Sequence, residues 1–534
     1  MKTETPTISE IISYMEYATD TEKAQVEDAY YFSEKVHSGH TRYSGEPYFT
    51  HPATVALYLS EMGMDSHTII AGLLHDSIED VGVTAEEIQG KYGADVYNMV
   101  EGVTKLGHVR YHGVERHAES LRKLFAATAH DVRVILIKLA DRLHNARTLQ
   151  FVPDHKRSRI ALETLEVYSP IADRLGMSVM KKDLEDAAFP YAYPDSYTKV
   201  RDIFAQKTKE SEEKVEKLEK VLAKMLALGG IRKFRTSSRI KGLYSLYLKL
   251  KRKEWDVEAI HDIIAIRIIV EDVAACYQAL GVVHGTWRPL PGKLKDYVSF
   301  PKPNGYQSIH TTVHAGDVGV IEIQIRTEEM HKRAELGLAA HLSYKETSTK
   351  RGKEGTSMQW VEQFFPGRKQ LVATPIKPHY KGQSIPEWIR SIADVHTETH
   401  ESTHDEYIDD LKSDFFTHRI FIFTPKGDVI DLPINATPID FAYTIHSDVG
   451  NHIAGARVNG KLVSIEEPLH NGSIVEIITK ESAKPKKKWM EIVKTTMARK
   501  HIKTALQKEE GILPTPSKPP ERKRPQIRAQ NKKK

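Results

Sequence analysis

The sequence predicts a multidomain α+β protein with an all-α domain, a mixed α/β domain and a small β-grasp module, in that order. Three observations predict this fold class. The chain has 534 residues, more than one hydrophobic core organises. Apolar residues recur every three or four positions through residue 195, which is typical of amphipathic helices. Runs of β-branched residues begin near residue 236 and return after residue 418, which indicates two separate groups of strands.

The first 195 residues are predicted to be helical throughout, with helices over 68–80, 131–148 and 160–175. A highly charged helix follows and ends at Gly229 and Gly230, which are typical of a helix C-terminus. We therefore assign 1–195 to the all-α domain and 196–235 to a helical connector.

Residues 236–346 alternate between strands and helices, which predicts the mixed α/β domain. The β-branched strands are predicted at 262–270 and 318–327, and helical stretches lie after each of them. Residues 347–417 are rich in Lys, Gly, Thr and His, with Trp360 and Trp388 as isolated apolar positions, and are predicted to form a linker.

The last part of the chain begins with a hairpin pattern over 419–433, centred on Lys426-Gly427-Asp428. A helix and three short strands complete a β-grasp-like module at 418–480. Residues 481–534 are predicted to be one helix followed by a disordered tail rich in Pro, Lys and Arg.

The composition excludes several classes of protein. Apolar residues make up 40% and charged residues 28% of the chain, as in ordinary globular proteins. No run of about 18 consecutive apolar residues occurs, so no membrane span is predicted, and the N-terminus lacks a secretory signal pattern. The single cysteine, Cys276, excludes a disulfide framework and a cysteine-based zinc site. We expect a cytoplasmic protein.

Positive charge is concentrated at the C-terminus. Residues 481–534 contain 17 Lys and Arg against 5 Asp and Glu, whereas the first 480 residues contain 60 against 67. Such a tail suits a phosphate backbone, and a solubilising disordered end explains it equally well.

Two histidines and two aspartates on three predicted helices form the first candidate site: His51, His75, Asp76 and Asp141. This mixed nitrogen and oxygen set suits Mn²⁺, Zn²⁺ or Fe²⁺ better than Mg²⁺ or Ca²⁺. Asp141 shares a helix face with apolar residues, so burial would be costly without a cation or a donor. A single His-Asp pair on a helix is usually an ordinary surface or core pair, but its recurrence across separate apolar helices favours a metal site.

The α/β domain contains a second set of charged residues, suited to moving a diphosphate group, a reaction that requires charge neutralisation. Asp262 and Glu322 lie on separate predicted strands and could share one Mg²⁺, and Tyr306 offers a flat face for a purine. No Walker A or kinase glycine-rich loop occurs, which disfavours ordinary ATPase and kinase folds. The cations of this set are Arg239, Lys241, Lys295 and Lys302.

The helical domain resembles the histidine-aspartate metal phosphohydrolases and, more narrowly, the hydrolase domain of RelA/SpoT proteins. The matching phrases are RYSGEPYFTHP, AGLLHDSIED, GVTKL and VRVILIKLADRLHNARTL. The resemblance implies that His51, His75, Asp76 and Asp141 bind Mn²⁺ and that (p)ppGpp is hydrolysed to GDP or GTP and pyrophosphate. It also implies that Glu79 and Asp80 position or deprotonate the attacking water and that Arg42, Ser44 and Asn145 hold the guanosine nucleotide.

The α/β domain resembles the RelA/SpoT synthetase domain through RIKGLYSLYLKLKRK, PGKLKDYVSFPKPNGYQSIHTTVH and EIQIRT. The resemblance implies synthesis of the alarmone (p)ppGpp of the stringent response from ATP and GDP or GTP. Asp262 and Glu322 would then hold Mg²⁺, with Glu322 also activating the 3′-hydroxyl. Arg239 and Lys241 would bind ATP phosphates, and the guanosine side would consist of Lys295, Lys302, Asn304, Tyr306 and His310.

The module at 418–480 resembles the TGS domain through FTPKGDVIDLP, TPIDFAYTIHSDVG and GARVNGKLV. His446 matches a position that contacts tRNA on the ribosome in long relatives, and a histidine that fixes the end of its own helix explains the residue nearly as well. Long relatives continue through further domains, so the resemblance implies a long-type, C-terminally truncated member of the family.

Two positions depart from the hydrolase pattern and one from the synthetase pattern. His40 stands where glutamine is common, and Tyr43 stands where lysine is common, which removes a cation from the nucleotide side. Lys293 replaces an arginine and loses its planar fork. Two other interpretations stay open: a hydrolase-only member with a weak or inactive synthetase domain, and an RNA- or ribosome-binding regulator in which both domains serve as scaffolds.

Overall fold

A computed structural model describes residues 4–104, 124–257, 260, 264–302, 304–316, 319–340, 342, 419–425, 429–470 and 472–509. Contacts divide the chain into two units, one before and one after residue 416. Within the described residues, no helix has the length and apolar character needed to cross a membrane.

Helices make up the described part of the first 192 residues, as the apolar periodicity predicts. Two of them start with capping boxes, in which Thr7 pairs with Glu10 and Thr19 pairs with Glu22. The helices are α1 (Ile8–Ser13), α2 (Asp20–Val36), α3 (Thr50–Glu61), α4 (Ser66–Leu74), α5 (Ser77–Val81), α6 (Ala85–Thr104), α7 (Arg133–Arg147), α8 (Asp154–Glu163), α9 (Ser169–Arg174) and α10 (Ser178–Ala192).

The predicted helix over 68–80 is broken in the middle. Helix α4 ends at Leu74, and α5 begins at Ser77, with His75 and Asp76 in a turn between them. The prediction that His75 and Asp76 lie inside one helix is therefore wrong. The break turns both side chains toward the same interior space.

The predicted helix over 160–175 is also interrupted. Residues Thr164–Tyr168 form a π-helical turn between α8 and α9. Pro170, near the start of α9, has no N–H to donate to the preceding turn, and such wide turns are frequent at functional sites.

A six-stranded sheet carries the second part of this unit. Its order is β1-β2-β6-β5-β3, with β4 paired to β5, and β2 and β6 are parallel whereas the other pairs are antiparallel. The strands are β1 (Phe234–Ile240), β2 (Ile264–Val270), β3 (Arg288–Pro289), β4 (Lys295–Asp296), β5 (Ile309–His314) and β6 (Val320–Thr327).

Four helices accompany the sheet: α11 (Pro194–Leu228), α12 (Leu243–Arg252), α13 (Val273–Thr286) and α14 (Glu328–Leu336). Helix α11 covers most of the predicted connector. Its apolar residues Val215, Leu218, Leu222 and Leu226 are buried in the same core as the strands. The charged helix therefore packs on the sheet along one face.

The second unit contains the hairpin β7 (Arg419–Phe423) and β8 (Val429–Pro433), then α15 (Pro438–Ile445), α16 (Ser447–Asn451), and the strands β9 (Ile453–Val458), β10 (Lys461–Val463) and β11 (Val475–Thr479). Two helices follow, α17 (Trp489–Ile492) and α18 (Thr496–Glu509), where the sequence predicts one. Trp489, Val493 and Ile502 are buried against α15, so these helices belong to the folded unit.

Several predicted features lie outside the described residues. They are Asp262, the linker at 347–417 with Trp360 and Trp388, the hairpin turn Lys426-Gly427-Asp428, and the tail beyond residue 509.

Candidate active sites

The four predicted metal ligands converge in the helical domain. His51 Nε2 lies 3.2 Å from His75 Nε2, 3.4 Å from a carboxylate oxygen of Asp76 and 3.3 Å from one of Asp141. The four residues come from three places: His51 from the first turn of α3, His75 and Asp76 from the break between α4 and α5, and Asp141 from α7. Both imidazoles and Asp141 are buried.

Neighbouring groups determine which nitrogen of each imidazole carries the proton. His75 Nδ1 lies 2.8 Å from the Gly72 carbonyl, which only accepts, so Nδ1 donates and Nε2 keeps its lone pair. Arg42 Nη1 donates to His144 Nδ1 at 2.9 Å, so that nitrogen carries its lone pair, and His51 Nδ1, 2.7 Å from the same atom, is assigned the proton that shares this lone pair. His51 Nε2 thus has a lone pair too. Two such lone pairs facing each other beside two carboxylates fit a divalent cation.

The charges of this site are consistent with a cation. Burial alone would raise the pKa of Asp141, but Lys138 and His51 lower it well below the ordinary value. Lys138 Nζ lies 2.8 Å from the second oxygen of Asp141. Burial, together with His51 and Arg42, lowers the pKa of His144 to about 2. Burial also lowers the pKa of His51, so an ionised Asp141 faces a neutral His51, the protonation states that metal binding requires of these two ligands.

Tyr48 connects the metal cluster to one of the two predicted acidic residues. Its hydroxyl lies 3.0 Å from an oxygen of Asp76 and 2.5 Å from one of Asp80, and Asp80 and Glu79 are both exposed on α5. The sequence analysis did not select Tyr48, although this residue stands three positions before His51 in the phrase RYSGEPYFTHP.

The three residues predicted to hold the guanosine nucleotide of the hydrolase lie beside the cluster. Arg42 Nη2 donates to Asn145 Oδ1 at 2.8 Å, and Asn145 Nδ2 donates to Asp141 at 2.5 Å. Ser44 Oγ is buried with no hydrogen-bond partner among the described residues. Tyr43, which replaces a lysine, is 66% exposed.

In the sheet domain, Glu322, His310 and Tyr306 form a chain of hydrogen bonds. Glu322 Oε1 lies 3.1 Å from His310 Nδ1, and Tyr306 OH lies 2.7 Å from His310 Nε2. Because a carboxylate accepts, His310 donates through Nδ1 and accepts the tyrosine hydroxyl through Nε2. Burial lowers the pKa of His310, in keeping with a neutral ring.

The predicted cations lie around this chain at different distances. Arg239 Nη1 donates to Gln324 at 3.3 Å, and Gln324 in turn donates to Glu322 at 2.7 Å. Lys302 Nζ stands 4.9 Å from the ring of Tyr297 and 5.2 Å from that of Tyr306. Lys295 is exposed at the start of β4, opposite His310 in register. Lys241 lies just after β1.

The structure gives Asn304 a protein partner. Its Nδ2 donates to the Asp173 carbonyl at 2.9 Å, and its Oδ1 accepts from Tyr306 N–H. Its predicted nucleotide contact would replace or share the bond to Asp173.

Two further arginines, which sequence reasoning did not select, lie on the neighbouring strands β2 and β6. Arg267 and Arg326 each have a buried Nε with no hydrogen-bond partner among the described residues. Burial, and after it the charges of Arg267 and Arg239, lower the pKa of Arg326 to about 10. The signal in the sequence was an arginine within an apolar strand, in the middle of β2 and one residue before the end of β6, and such a position needs an anion or acceptor.

His446, the predicted tRNA contact, begins helix α16 of the second unit. Its Nδ1 accepts from the Asp448 N–H at 3.1 Å, so Nε2 carries the ring proton. The residue is exposed. It therefore fixes its own helix end and still has a free donor position.

Three family models match the chain. The HD domain matches residues 29–178, the region found in RelA/SpoT proteins matches 238–349, and the TGS domain matches 420–479. The matches cover the helical domain, the sheet domain and the β-grasp module in turn.

Curated relatives match along almost the whole chain. The GTP pyrophosphokinase of Myxococcus xanthus is 41% identical over 95% of this chain. The guanosine-3′,5′-bis(diphosphate) 3′-pyrophosphohydrolase of Aquifex aeolicus is 44% identical over 91%. The bifunctional (p)ppGpp synthase/hydrolase SpoT of Escherichia coli is 40% identical over 92%. The chain spans 62%, 65% and 66% of the lengths of these relatives.

Among solved structures, the small alarmone synthetase 1 of Bacillus subtilis bound to pppGpp matches 28% of this chain and 91% of its own, with a TM-score of 0.22 and 21% identity.

Proposed function

Since the chain belongs to the RelA/SpoT family, we propose that it is a bifunctional alarmone enzyme. In one direction it transfers pyrophosphate from ATP to the 3′-hydroxyl of GDP or GTP. In the other it hydrolyses (p)ppGpp to GDP or GTP and pyrophosphate. The names of the curated relatives, which cover both activities, support this proposal, as do the two separate polar clusters. We place the reactions in the cytoplasm, as part of the stringent response.

One observation carries the hydrolase proposal: the ring protons of His51 and His75 are assigned to Nδ1, which leaves a lone pair on each Nε2. His51 and His75 direct the lone pairs of their Nε2 atoms toward one point, 3.2 Å apart, beside Asp76 and Asp141. These four residues would hold Mn²⁺, which when bound supplies Lewis acidity and makes water a better nucleophile.

The protein's own residues then govern the reaction. Glu79 and Asp80 orient the attacking water and accept its proton, and Tyr48 holds Asp80 beside Asp76. The oxygen of water bonds to phosphorus while the bond from phosphorus to the 3′-oxygen breaks, and the 3′-oxygen receives a proton. Arg42, Ser44 and Asn145 hold the guanosine nucleotide, and the unpartnered Ser44 Oγ is available to it.

For synthesis, Glu322 and Asp262 would hold Mg²⁺, which neutralises the transferred phosphates. Glu322 accepts the proton of the 3′-hydroxyl, and its bond to His310 keeps the carboxylate in place. Arg239, Lys241, Lys295 and Lys302 balance phosphate charge, and Tyr306 stacks against the guanine. Asn304 adds a polar contact.

We also propose that His446 and the basic tail contact tRNA or the ribosome. The exposed His446 Nε2–H, a donor next to the first turn of α16, supports it. A filter-binding assay in which RNA affinity falls with salt and with His446→Ala would support the contact.

Both activities are tested by assaying the purified chain with Mg²⁺ alone and with Mn²⁺ added. We expect ppGpp synthesis that is lost in Asp262→Ala and Mn²⁺-dependent breakdown that is lost in Asp76→Asn, with each variant keeping the other activity. Breakdown without any synthesis would favour a hydrolase-only protein. Two variants that change neither activity would favour a scaffold.

A further inference from the structure

A pocket of about 320 Å³ lies beside the hydrolase cluster, where the loop after α2 faces α5. Its wall consists of His37, His40, Thr41, Tyr48, Asp80 and Val81. Tyr48 and Asp80 connect it to the cluster, because the Tyr48 hydroxyl bonds both Asp80 and Asp76. The pocket therefore adjoins the carboxylates to which the hydrolysis is assigned.

One wall of this pocket is a buried histidine held in a fixed position. His37 is 2% exposed, and its ring stacks on Tyr48 with centroids 5.3 Å apart and an interplanar angle of 8°. Its Nδ1 lies 2.8 Å from the Ser33 carbonyl. Ser33 is itself held by a bond from its hydroxyl to the Leu73 carbonyl. The ring can neither flip nor rotate without losing these contacts.

The contact with Ser33 decides the chemistry of the other ring nitrogen. A carbonyl only accepts, so Nδ1 carries the proton and Nε2 carries a lone pair. That Nε2 is buried and has no hydrogen-bond partner among the described residues. A buried acceptor without a partner is destabilising, and a donor inside the pocket would satisfy it.

The wall also indicates which donor fits. Among the wall residues that the structure describes, His37 and Asp80 carry acceptors, and none is Lys or Arg. Such a wall repels pyrophosphate and suits a small neutral donor. Because a water molecule occupies roughly 30 Å³, the pocket has room for several.

We infer that this pocket delivers the water consumed in hydrolysis, and that His37 is a positioning residue whose Nε2 accepts a hydrogen bond from that water. The second acceptor, Asp80, then receives the other hydrogen of the water and leaves its oxygen facing the cluster. The inference rests on the proposed hydrolase function and adds to it a site that binds water before the reaction.

Two variants separate this role from a structural one. His37→Phe keeps a flat ring against Tyr48 and removes the acceptor, whereas His37→Gln places an amide oxygen near the position of Nε2. Because misplacing a reactant costs up to about 100-fold in rate, we expect kcat for ppGpp hydrolysis to fall roughly 10- to 100-fold in His37→Phe and to recover by about tenfold in His37→Gln. KM and the Mn²⁺ affinity of the chelator-treated protein should change less than about twofold, because the substrate and metal contacts stay in place.

Synthesis by the same variants reports whether the chain is folded, and His155→Phe, an exposed histidine on α8, is the matched substitution. An unchanged kcat in His37→Phe would overturn the inference, as would a loss of Mn²⁺ affinity or a glutamine variant no better than phenylalanine. A wild-type chain without hydrolysis would overturn the proposed function and this inference together. An active wild type with an active His37→Phe variant would overturn the inference alone.

Discussion

At the scale of single residues, the hydrolase site depends on where each imidazole carries its proton. His75 is fixed by a backbone carbonyl, whereas His51 is fixed by another side chain, His144, which in turn accepts from Arg42. The contacts among Arg42, His144 and His51 thus leave the lone pair of His51 on Nε2, where it can bind a metal. Groups behind a metal ligand set its orientation and basicity.

Replacing His144 therefore tests this chain. In His144→Phe the ring shape stays, but His51 Nδ1 loses its acceptor, so His51 can turn or change tautomer. We expect Mn²⁺ affinity to fall about 10- to 100-fold, measured by titrating chelator-treated protein with Mn²⁺ and following its electron paramagnetic resonance. His155→Phe is the control, and equal affinities for both variants would contradict the assignment.

A second pair at this scale links stability to pH. His67 Nδ1 lies 3.0 Å from Asp95, and that hydrogen bond raises the pKa of His67. A raised folded pKa means that the stabilisation is full below about pH 6.5, the ordinary value for histidine, and disappears as the pH rises through the folded value.

His67→Gln should therefore lower the thermal midpoint more at pH 6 than at pH 9. The difference should correspond to less than about 1 kcal/mol, because His67 is almost half exposed and such pairs are screened by water. Thermal unfolding at both pH values, compared with His155→Gln, measures it. An equal or larger loss at pH 9 would show that the ion pair is not the cause.

At the scale of elements, one buried carboxylate joins the β-grasp module to the helices that follow it. Asp440 on α15 is fully buried. One oxygen accepts from the N–H and the hydroxyl of Thr437, and the other accepts from Lys494 N–H and from the N–H and hydroxyl of Thr495. It thus caps α15 and holds the start of α18 with the same side chain.

Asp440→Asn should loosen both ends, because the amide nitrogen cannot accept the bonds on one side and the neutral amide oxygen accepts those on the other side more weakly than a carboxylate does. Each buried donor left without an acceptor costs about 1–3 kcal/mol. Hydrogen exchange of the full chain should show faster exchange in α15 and α18, with the sheet domain unchanged. Asp448→Asn, an exposed aspartate on α16, serves for comparison, and similar exchange in the two variants would contradict the role.

At the scale of the whole first unit, a tight turn between α9 and α10 connects the helical domain to the loop of the sheet domain that contains Asn304. Asn304 donates to the Asp173 carbonyl, Leu338 N–H donates to the Leu175 carbonyl at 2.9 Å, and Ser178 donates to the Ala334 carbonyl. Gly176 sits in this turn with φ of +74°, and a Cβ there would lie 2.8 Å from the Asn304 carbonyl oxygen.

Gly176→Ala should therefore displace the Asn304 loop. A non-glycine residue at this φ costs roughly 1–2 kcal/mol, and the clash adds to it. We expect KM for GDP or GTP in synthesis to rise about tenfold, with ppGpp hydrolysis changed less, both measured on the same preparation. Gly316→Ala, which has positive φ and no neighbour within 4 Å, controls for backbone strain. If it raises KM equally, the contact with Asn304 is not the cause.

The sequence by itself determined the order of the domains, because apolar periodicity and β-branched runs are local properties of the chain. It also selected His51, His75, Asp76 and Asp141 as a group, since a cation site needs those residue types. It could not place Tyr48 or His37, whose roles depend on which neighbour their polar atoms face across the fold.

Tertiary structure also decided the break at His75–Asp76, the two helices at the end of the second unit and the packing of α11. At the break and between α17 and α18, local helix propensity did not decide the backbone, whereas α11 is helical as predicted and the structure adds only which of its faces is buried. The tautomer of His51 belongs to the same class, because it is set by His144, 93 positions along the chain, which in turn accepts from Arg42, 102 positions away.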